Sequence, residues 1–307
     1  MRALVVTNMY PSPERPALGS FVRDQVRALR RIDGVDVELF SFAPGSPRAY
    51  GAAAAALRRR AGPERFDVVH AHFGLTAWPA LAARGRIHAV TLHGTELAHP
   101  RSRVITAAAL PFMDLVAVVS EPLAHLLPRH AVRGQTAVLP CGVALDRFRP
   151  IARAEAREAL GLPPQGQYLL FPSDPARSEK RYDRALAVAE KVPLLTLGSV
   201  EPDDVPLWVN AANAVLIPSE REGFGLAVLE ALACNVPVLA TPVGIAPDVL
   251  AGVAGAHCAP FDALQWRTAL APHLAEPDPR IEGRARAGPF SADEMARRVA
   301  VAWASLV

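Results

Sequence analysis

The stretch Glu220-Arg-Glu-Gly-Phe-Gly-Leu-Ala-Val-Leu-Glu230-Ala-Leu-Ala233 follows directly on an apolar run, Ala214-Val-Leu-Ile-Pro218. That run reads as a buried parallel strand, and the glycine turn after it opens a pattern with helical period. Gly223 and Gly225 have no side chain to block a ligand, and from Gly225 onward the unpaired N–H groups of a helix start point into the loop. A strand, a tight loop and a helix tip in this order attract phosphate or sugar oxygens. Glu222 then stands at the loop mouth and Glu230 in the second helical turn. Singly, either glutamate is explained by the helix dipole or by a solvated helix face. Their company changes this reading: Glu-x7-Glu brackets Gly-Phe-Gly-Leu, and a second buried strand follows in Cys234-Asn-Val-Pro-Val-Leu-Ala-Thr241.

Upstream, the same alternation of strand and helix repeats. Ala3 to Thr7 is a short apolar strand, a proline-rich loop runs to Gly19, and Phe21-Val-Arg-Asp-Gln-Val-Arg-Ala-Leu29 has amphipathic helical spacing. Further strands are predicted at 35–42, 67–72, 89–96, 114–120 and 136–140, and then at 167–171, 194–197 and 214–218. Strands alternating with helices imply an α/β chain with parallel sheets covered on both faces. Ligands of such sheets bind outside the carboxyl ends of the strands, where Asn8, Gly19, His72, His93, Gly94 and Ser120 fall. His70, alternating with His72 around Ala71, reads as a residue that packs or caps within the sheet. His93 ends a strand ahead of a glycine in Thr91-Leu-His-Gly-Thr95 and is the candidate from this half.

At 307 residues the chain is long enough for two cores. A net charge of +3 gives no reason to expect a nucleic-acid partner. Cys141, Cys234 and Cys258 lie far apart without paired spacing, which argues against metal ligation and for a reducing compartment. The first residues form a strand rather than a signal peptide, and no apolar run reaches the roughly 20 residues of a bilayer span. A soluble, cytoplasmic protein is expected. Arg58-Arg-Arg60, at the basic end of a predicted helix within 44–65, reads as a solvated face, with peripheral contact to the inner membrane face as the alternative. Asp203-Asp204 is read as a helix cap rather than a metal motif. No Gly-x-Gly-x-x-Gly follows the first strand, which disfavours a dinucleotide oxidoreductase.

The Glu-x7-Glu segment with its flanking strands closely resembles the donor-site signature of retaining glycosyltransferases with the GT-B fold, family four in particular. The resemblance covers nearly the whole chain and is strongest from Lys180 to Thr241. It implies two Rossmann-like, doubly wound domains facing a central cleft. Residues 1–150 form the acceptor side, 151–290 the nucleotide-sugar donor side, and 291–307 a final helix that returns to the first domain. It implies sugar transfer with retention from a UDP- or GDP-linked donor to a hydroxyl acceptor, lipid-linked or a small molecule, with neither metal nor cofactor. In the loop Ser173-Asp-Pro-Ala-Arg-Ser-Glu-Lys-Arg181, Lys180 and Arg177 match the residues that hold the donor diphosphate, with Arg181 as a possible substitute.

Further roles follow from the same resemblance. The N–H groups of Phe224, Gly225 and Leu226 hold phosphate and sugar hydroxyls, Glu222 the sugar, and Glu230 the ribose. Gly19 lets the donor diphosphate or the acceptor approach the backbone, His93 lies beside the donor sugar, and Leu197 and Gly198 line the base pocket. Three departures stand out. Cys141 and Ala144 replace an asparagine and an aspartate around Gly142, the section between Gly198 and the 214–218 strand is short, and Asp248 stands near the place of a customary glutamate. They leave two rival readings: a sugar-nucleotide epimerase on the same fold, and a non-catalytic sugar-nucleotide-binding protein.

Overall fold

Eleven strands alternate with helices in the computed structural model, which describes residues 1–198 and 200–307. The strands are β1 (Arg2–Thr7), β2 (Asp36–Ser41), β3 (Arg65–His72), β4 (Arg84–Leu92), β5 (Leu115–Val118), β6 (Gln135–Val138), β7 (Leu169–Phe171), β8 (Leu194–Thr196), β9 (Ala214–Ile217), β10 (Val238–Ala240) and β11 (His257–Cys258). The chain divides into two compact units, one of residues 1–13, 18–142 and 292–307, the other of residues 14–17 and 143–291.

The first unit holds a six-stranded parallel sheet in the order β2-β1-β3-β4-β5-β6. Its central strands read as continuous apolar runs because helices cover both faces, and every residue of β5 is buried. The helix Ser20–Leu29 turns Val22, Val26, Ala28 and Leu29 inward. These pack in one cluster with Ala3, Val5, Val68 and Leu115, and with Met295, Val299 and Trp303 of the helix Ala292–Ala304. The last helix is therefore part of this unit's core. Strand β4 begins at Arg84, five residues earlier than its apolar pattern suggests. Its first half, Arg84-Gly-Arg-Ile-His88, is polar but pairs with β3 from Arg65 onward.

The second unit holds a five-stranded parallel sheet in the order β11-β10-β9-β7-β8, built around Leu169, Phe171, Leu216, Leu239 and the fully buried Trp266. Strand β8 is an edge strand, and a single helix, Val205–Ala211, precedes β9. Asp204 is the N-cap residue of that helix, yet its side chain makes no capping hydrogen bond, and the Asp203 carboxylate pairs with Arg147 at 2.8 Å. The pair thus stands at the helix start as read from sequence, but Asp204 supplies no side-chain cap. Among the described residues, no helix is long and apolar enough to cross a membrane. At the basic end of the helix Pro47–Ala61, Arg60 donates to the Leu39 carbonyl at 3.0 Å and stacks over Phe40.

Candidate functional site

In the second unit, the ends of β7, β9 and β10 bring four polar side chains into one chain of hydrogen bonds. The Lys180 ammonium donates to Glu222 Oε2 at 2.6 Å, and the Ser219 hydroxyl donates to Glu222 Oε1 at 2.7 Å. The Thr241 hydroxyl donates to the Ser219 carbonyl at 2.5 Å. A backbone bond from Glu220 N to Glu179 O, 2.9 Å, clamps the loop that carries Lys180 to the loop that carries Glu222. Both charged side chains are largely buried, at 15% and 9% exposure, so the pair is held in a poorly solvated place. The lysine has three donors, of which Glu222 takes one.

Glu222 is followed by the tight turn into the helix Leu226–Ala233, whose N-cap Gly225 sits at φ +95°, a conformation costly for any residue with a Cβ. Among the described residues, the N–H groups of Phe224, Gly225 and Leu226 donate to no backbone carbonyl. The partial positive charge of a helix start adds to theirs. The loop is held from behind by Thr241–Ile245: Ile245 N donates to Phe224 O at 2.7 Å. A Cβ on Gly244, itself at φ +60°, would stand 2.3 Å from that carbonyl and 2.9 Å from Glu222 Cβ. Ser219, Thr241 and Gly244 were not assigned roles from sequence; only the parallel register of β9 and β10 brings them behind Glu222. Glu230 is half-buried in the second turn of the helix.

The rest of the basic loop is arranged differently from expectation. Arg177 extends from the turn before Ser178–Lys180 and forks onto Glu179 at 2.7 and 3.0 Å, half-exposed, rather than sharing the Lys180–Glu222 pair. Arg181, in the left-handed region at φ +58°, is committed to Asp183 at 2.7 Å and Glu220 at 2.5 Å. A cavity of about 660 Å³ opens beside these residues, lined by Glu179, Arg181, Tyr182, Leu186 and Glu220. Neither Lys180 nor Glu222 lines it; Arg221 does, and of its two guanidinium groups that of Arg181 is already paired with Asp183 and Glu220. Leu197 is buried beyond β8, and Gly198 lies against Asp174 of the basic loop, where a Cβ would meet Asp174 Cα at 3.4 Å.

In the first unit, the exits of β3 and β4 carry three imidazoles in a row. His70 and His72 stack with centroids 4.9 Å apart, and His72 and His93 with centroids 5.4 Å apart. The indole N–H of Trp303 donates to His70 Nδ1 at 2.9 Å, which leaves His70 Nε2 to carry its proton toward the Thr91 hydroxyl at 2.7 Å. His70 thus packs and bonds within the sheet as read from sequence. Glu96, fully buried, accepts from the N–H of His93 at 2.8 Å and of Gly74 at 3.3 Å, tying the two exit loops together. Burial pushes its carboxyl up, against the pull of those N–H groups. Its presence was visible in Thr91-Leu-His-Gly-Thr-Glu96, although its part in holding His93 was not. Gly19, at φ +67°, caps the helix Ser20–Leu29, and a Cβ there would stand 2.2 Å from Met9 O. Glycine at this position is required by the chain's own turn, whatever else its amide meets.

Burial drives His70 and His93 well below the usual imidazole value and His72 down to about 4. An unfolded histidine takes up its proton near 6.5, so between pH 6.5 and 4 the unfolded chain binds protons that folded His72 refuses, and acid costs stability. Glu96, raised by burial, works in the opposite direction. We therefore expect the stability lost between pH 7 and 5.5, read from urea midpoints, to be about 1 kcal/mol smaller in His72→Asn than in the parent protein. An equal loss in both would show that His72 is protonated in the folded state.

The N-terminal half, residues 4–147, matches the model of Glycosyltransferase Family 4, and residues 174–287 match that of Glycosyl transferases group 1. A D-inositol 3-phosphate glycosyltransferase of Mycobacterium avium is 30% identical over 331 aligned positions, which take in 90% of this chain and 76% of that protein. The chain belongs to the group 1 glycosyltransferases. A D-inositol 3-phosphate glycosyltransferase of Actinosynnema mirum is also 30% identical, over 76% of this glycosyltransferase and 71% of the relative. Among solved structures, sucrose-phosphate synthase from Thermosynechococcus elongatus has a TM-score of 0.76 at 20% identity, covering 100% of this chain and 99% of the other. Anabaena HepE in complex with UDP-glucose has a TM-score of 0.72 at 15% identity, covering 99% of each. These likenesses establish the GT-B fold for the glycosyltransferase.

Proposed function

We propose that this glycosyltransferase moves a hexosyl group from a nucleoside-diphosphate donor, linked to UDP or GDP, onto a hydroxyl acceptor, with retention and without a metal. The observation that carries the reading is the Lys180–Glu222 pair, 2.6 Å long, set beside the open N–H groups at the tip of the helix Leu226–Ala233. Breaking the bond between the anomeric carbon and the diphosphate leaves negative charge on the phosphate. Preorganised cations and N–H donors lower that barrier in a site with little water.

In this assignment Lys180 takes the diphosphate with the donors that Glu222 leaves to it, joined by the N–H groups of Phe224, Gly225 and Leu226. Arg177 joins them by releasing Glu179. Glu222 receives hydroxyls of the sugar and Glu230 those of the ribose, while Leu197 and Gly198 face the base. His93 meets the sugar, and Gly19 offers its amide to the diphosphate or the acceptor. Anabaena HepE, solved with UDP-glucose, supports a sugar nucleotide as donor. The relatives named for D-inositol 3-phosphate make a polyol hydroxyl the first acceptor to try, ahead of a lipid-linked one. A cytoplasmic location, with peripheral contact at the inner membrane face, completes the reading. The free thiols of Cys141, Cys234 and Cys258 suit a reducing compartment.

The test is release of free UDP or GDP from UDP-glucose or GDP-mannose. Release that depends on an acceptor hydroxyl, survives EDTA and gives a product with the donor's anomeric configuration is the expected result. Inversion, or loss of turnover on chelation, would overturn the retaining or metal-free part of the proposal.

A further inference from the structure

The three imidazoles of the first unit form a line whose proton positions follow from the groups at its far end. Gln25 lies on the inward face of the helix Ser20–Leu29 and is 6% exposed; its Nε2 stands 3.4 Å from His72 Nε2. A carboxamide nitrogen only donates, so His72 Nε2 accepts and its proton sits on Nδ1. His72 Nδ1 is 3.2 Å from His93 Nε2, and a protonated Nδ1 donates to it. The lone pair of His93 Nε2 is then used, and the His93 proton is confined to Nδ1. His72 is fully buried, flanked by His70 and His93. Phe21, 4.8 Å from the His93 ring, holds that ring from a second side. Burial keeps these imidazoles neutral, as such a relay requires.

From this geometry we infer that His72 is a positioning residue: oriented by Gln25, it holds His93 in the Nδ1–H tautomer so that His93 presents a neutral N–H donor to the reacting sugar nucleotide. The second half of the inference rests on the role proposed above for His93; the first half does not. No bond is made or broken by His72, which determines only whether His93 offers a proton or a lone pair. The distinction matters at a site where negative charge develops, since a lone pair facing an oxygen repels it and an N–H stabilises it. The alternation that hides His70 and His72 within β3 places both on one face of the strand, and that shared face makes the relay possible.

The experiment separates the two halves. In protein labelled with 15N at histidine, imidazole nitrogen shifts distinguish protonated from bare nitrogens. We expect His93 to carry its proton on Nδ1 in the parent protein and in His72→Asn, whose side-chain amide donates from nearly the same point as His72 Nδ1. In His72→Leu the proton should move at least partly to Nε2. A His93 protonated on Nε2 in the parent protein overturns the relay, and this reading needs no variant to fold. An unchanged Nδ1–H in folded His72→Leu also overturns it. With UDP-glucose and GDP-mannose as donors, His72→Leu should lower kcat by about 10²-fold with little change in KM. His72→Asn should recover most of that loss. Equal kcat in His72→Leu and the parent would remove the functional half. If the parent protein turned over neither donor, the proposed function would fall while the nitrogen shifts still decided the relay.

Discussion

Replacing Lys180 with alanine is expected to lower kcat/KM for the sugar-nucleotide donor by about 10²–10³-fold. Among the described residues the ammonium is the one cation held against Glu222 in a largely buried setting, and in the proposed reaction it is the group that meets the departing phosphate. A structural cost comes with the change. Removing one member of a buried pair leaves the other charge unpaired, at a cost of up to about 3–5 kcal/mol for the most buried cases. The single variant therefore mixes two effects. The double variant Lys180→Ala with Glu222→Gln separates them, because a neutral amide can keep its bond from Ser219 without a cation beside it. Its thermal midpoint should return toward that of the parent while its kcat/KM stays low. A double variant with near-parental activity would assign Lys180 to stability alone.

The second large effect is on folding. Trp303→Ala should cost about 3–5 kcal/mol in the first unit's stability, measured by urea denaturation. The indole is fully buried in the cluster that joins β1 and β3 to the helices Ser20–Leu29 and Ala292–Ala304, and its N–H satisfies His70. Trp303→Phe should cost less, about 1–3 kcal/mol, because it preserves most of the packing and leaves His70 Nδ1 without its donor. Val301→Ala, on the same helix but 68% exposed, should change stability by no more than about 0.5 kcal/mol. If Trp303→Ala were as mild as Val301→Ala, the last helix would be an appendage rather than core.

The fold was legible because buried parallel strands are written as short apolar runs, and ten of the expected runs coincide with strands from β1 to β10. What escaped were elements without that signature. The polar first half of β4 is a strand only because β3 runs beside it, and β11 is two residues long. At the site, Lys180, Glu222 and Gly225 were marked by motif, and the structure joins the first two directly. Ser219, Thr241 and Gly244 carry no motif of their own. Their positions behind Glu222 come from the pairing of β9 with β10, a relation between segments distant in sequence. The partners of Arg177 and Arg181 were hidden for a different reason: both guanidinium groups fold back on carboxylates two residues away, Glu179 and Asp183. Pairing at that spacing depends on the local turn rather than on residue type.

The most direct test is a crystal structure of the protein with UDP or GDP bound. We expect diphosphate oxygens about 2.7–3.2 Å from Lys180 Nζ and from the N–H of Gly225 or Leu226, with the ribose hydroxyls at Glu230. A diphosphate seated in the cavity of Arg181 and Glu220, with Lys180 bonded only to Glu222, would contradict the account.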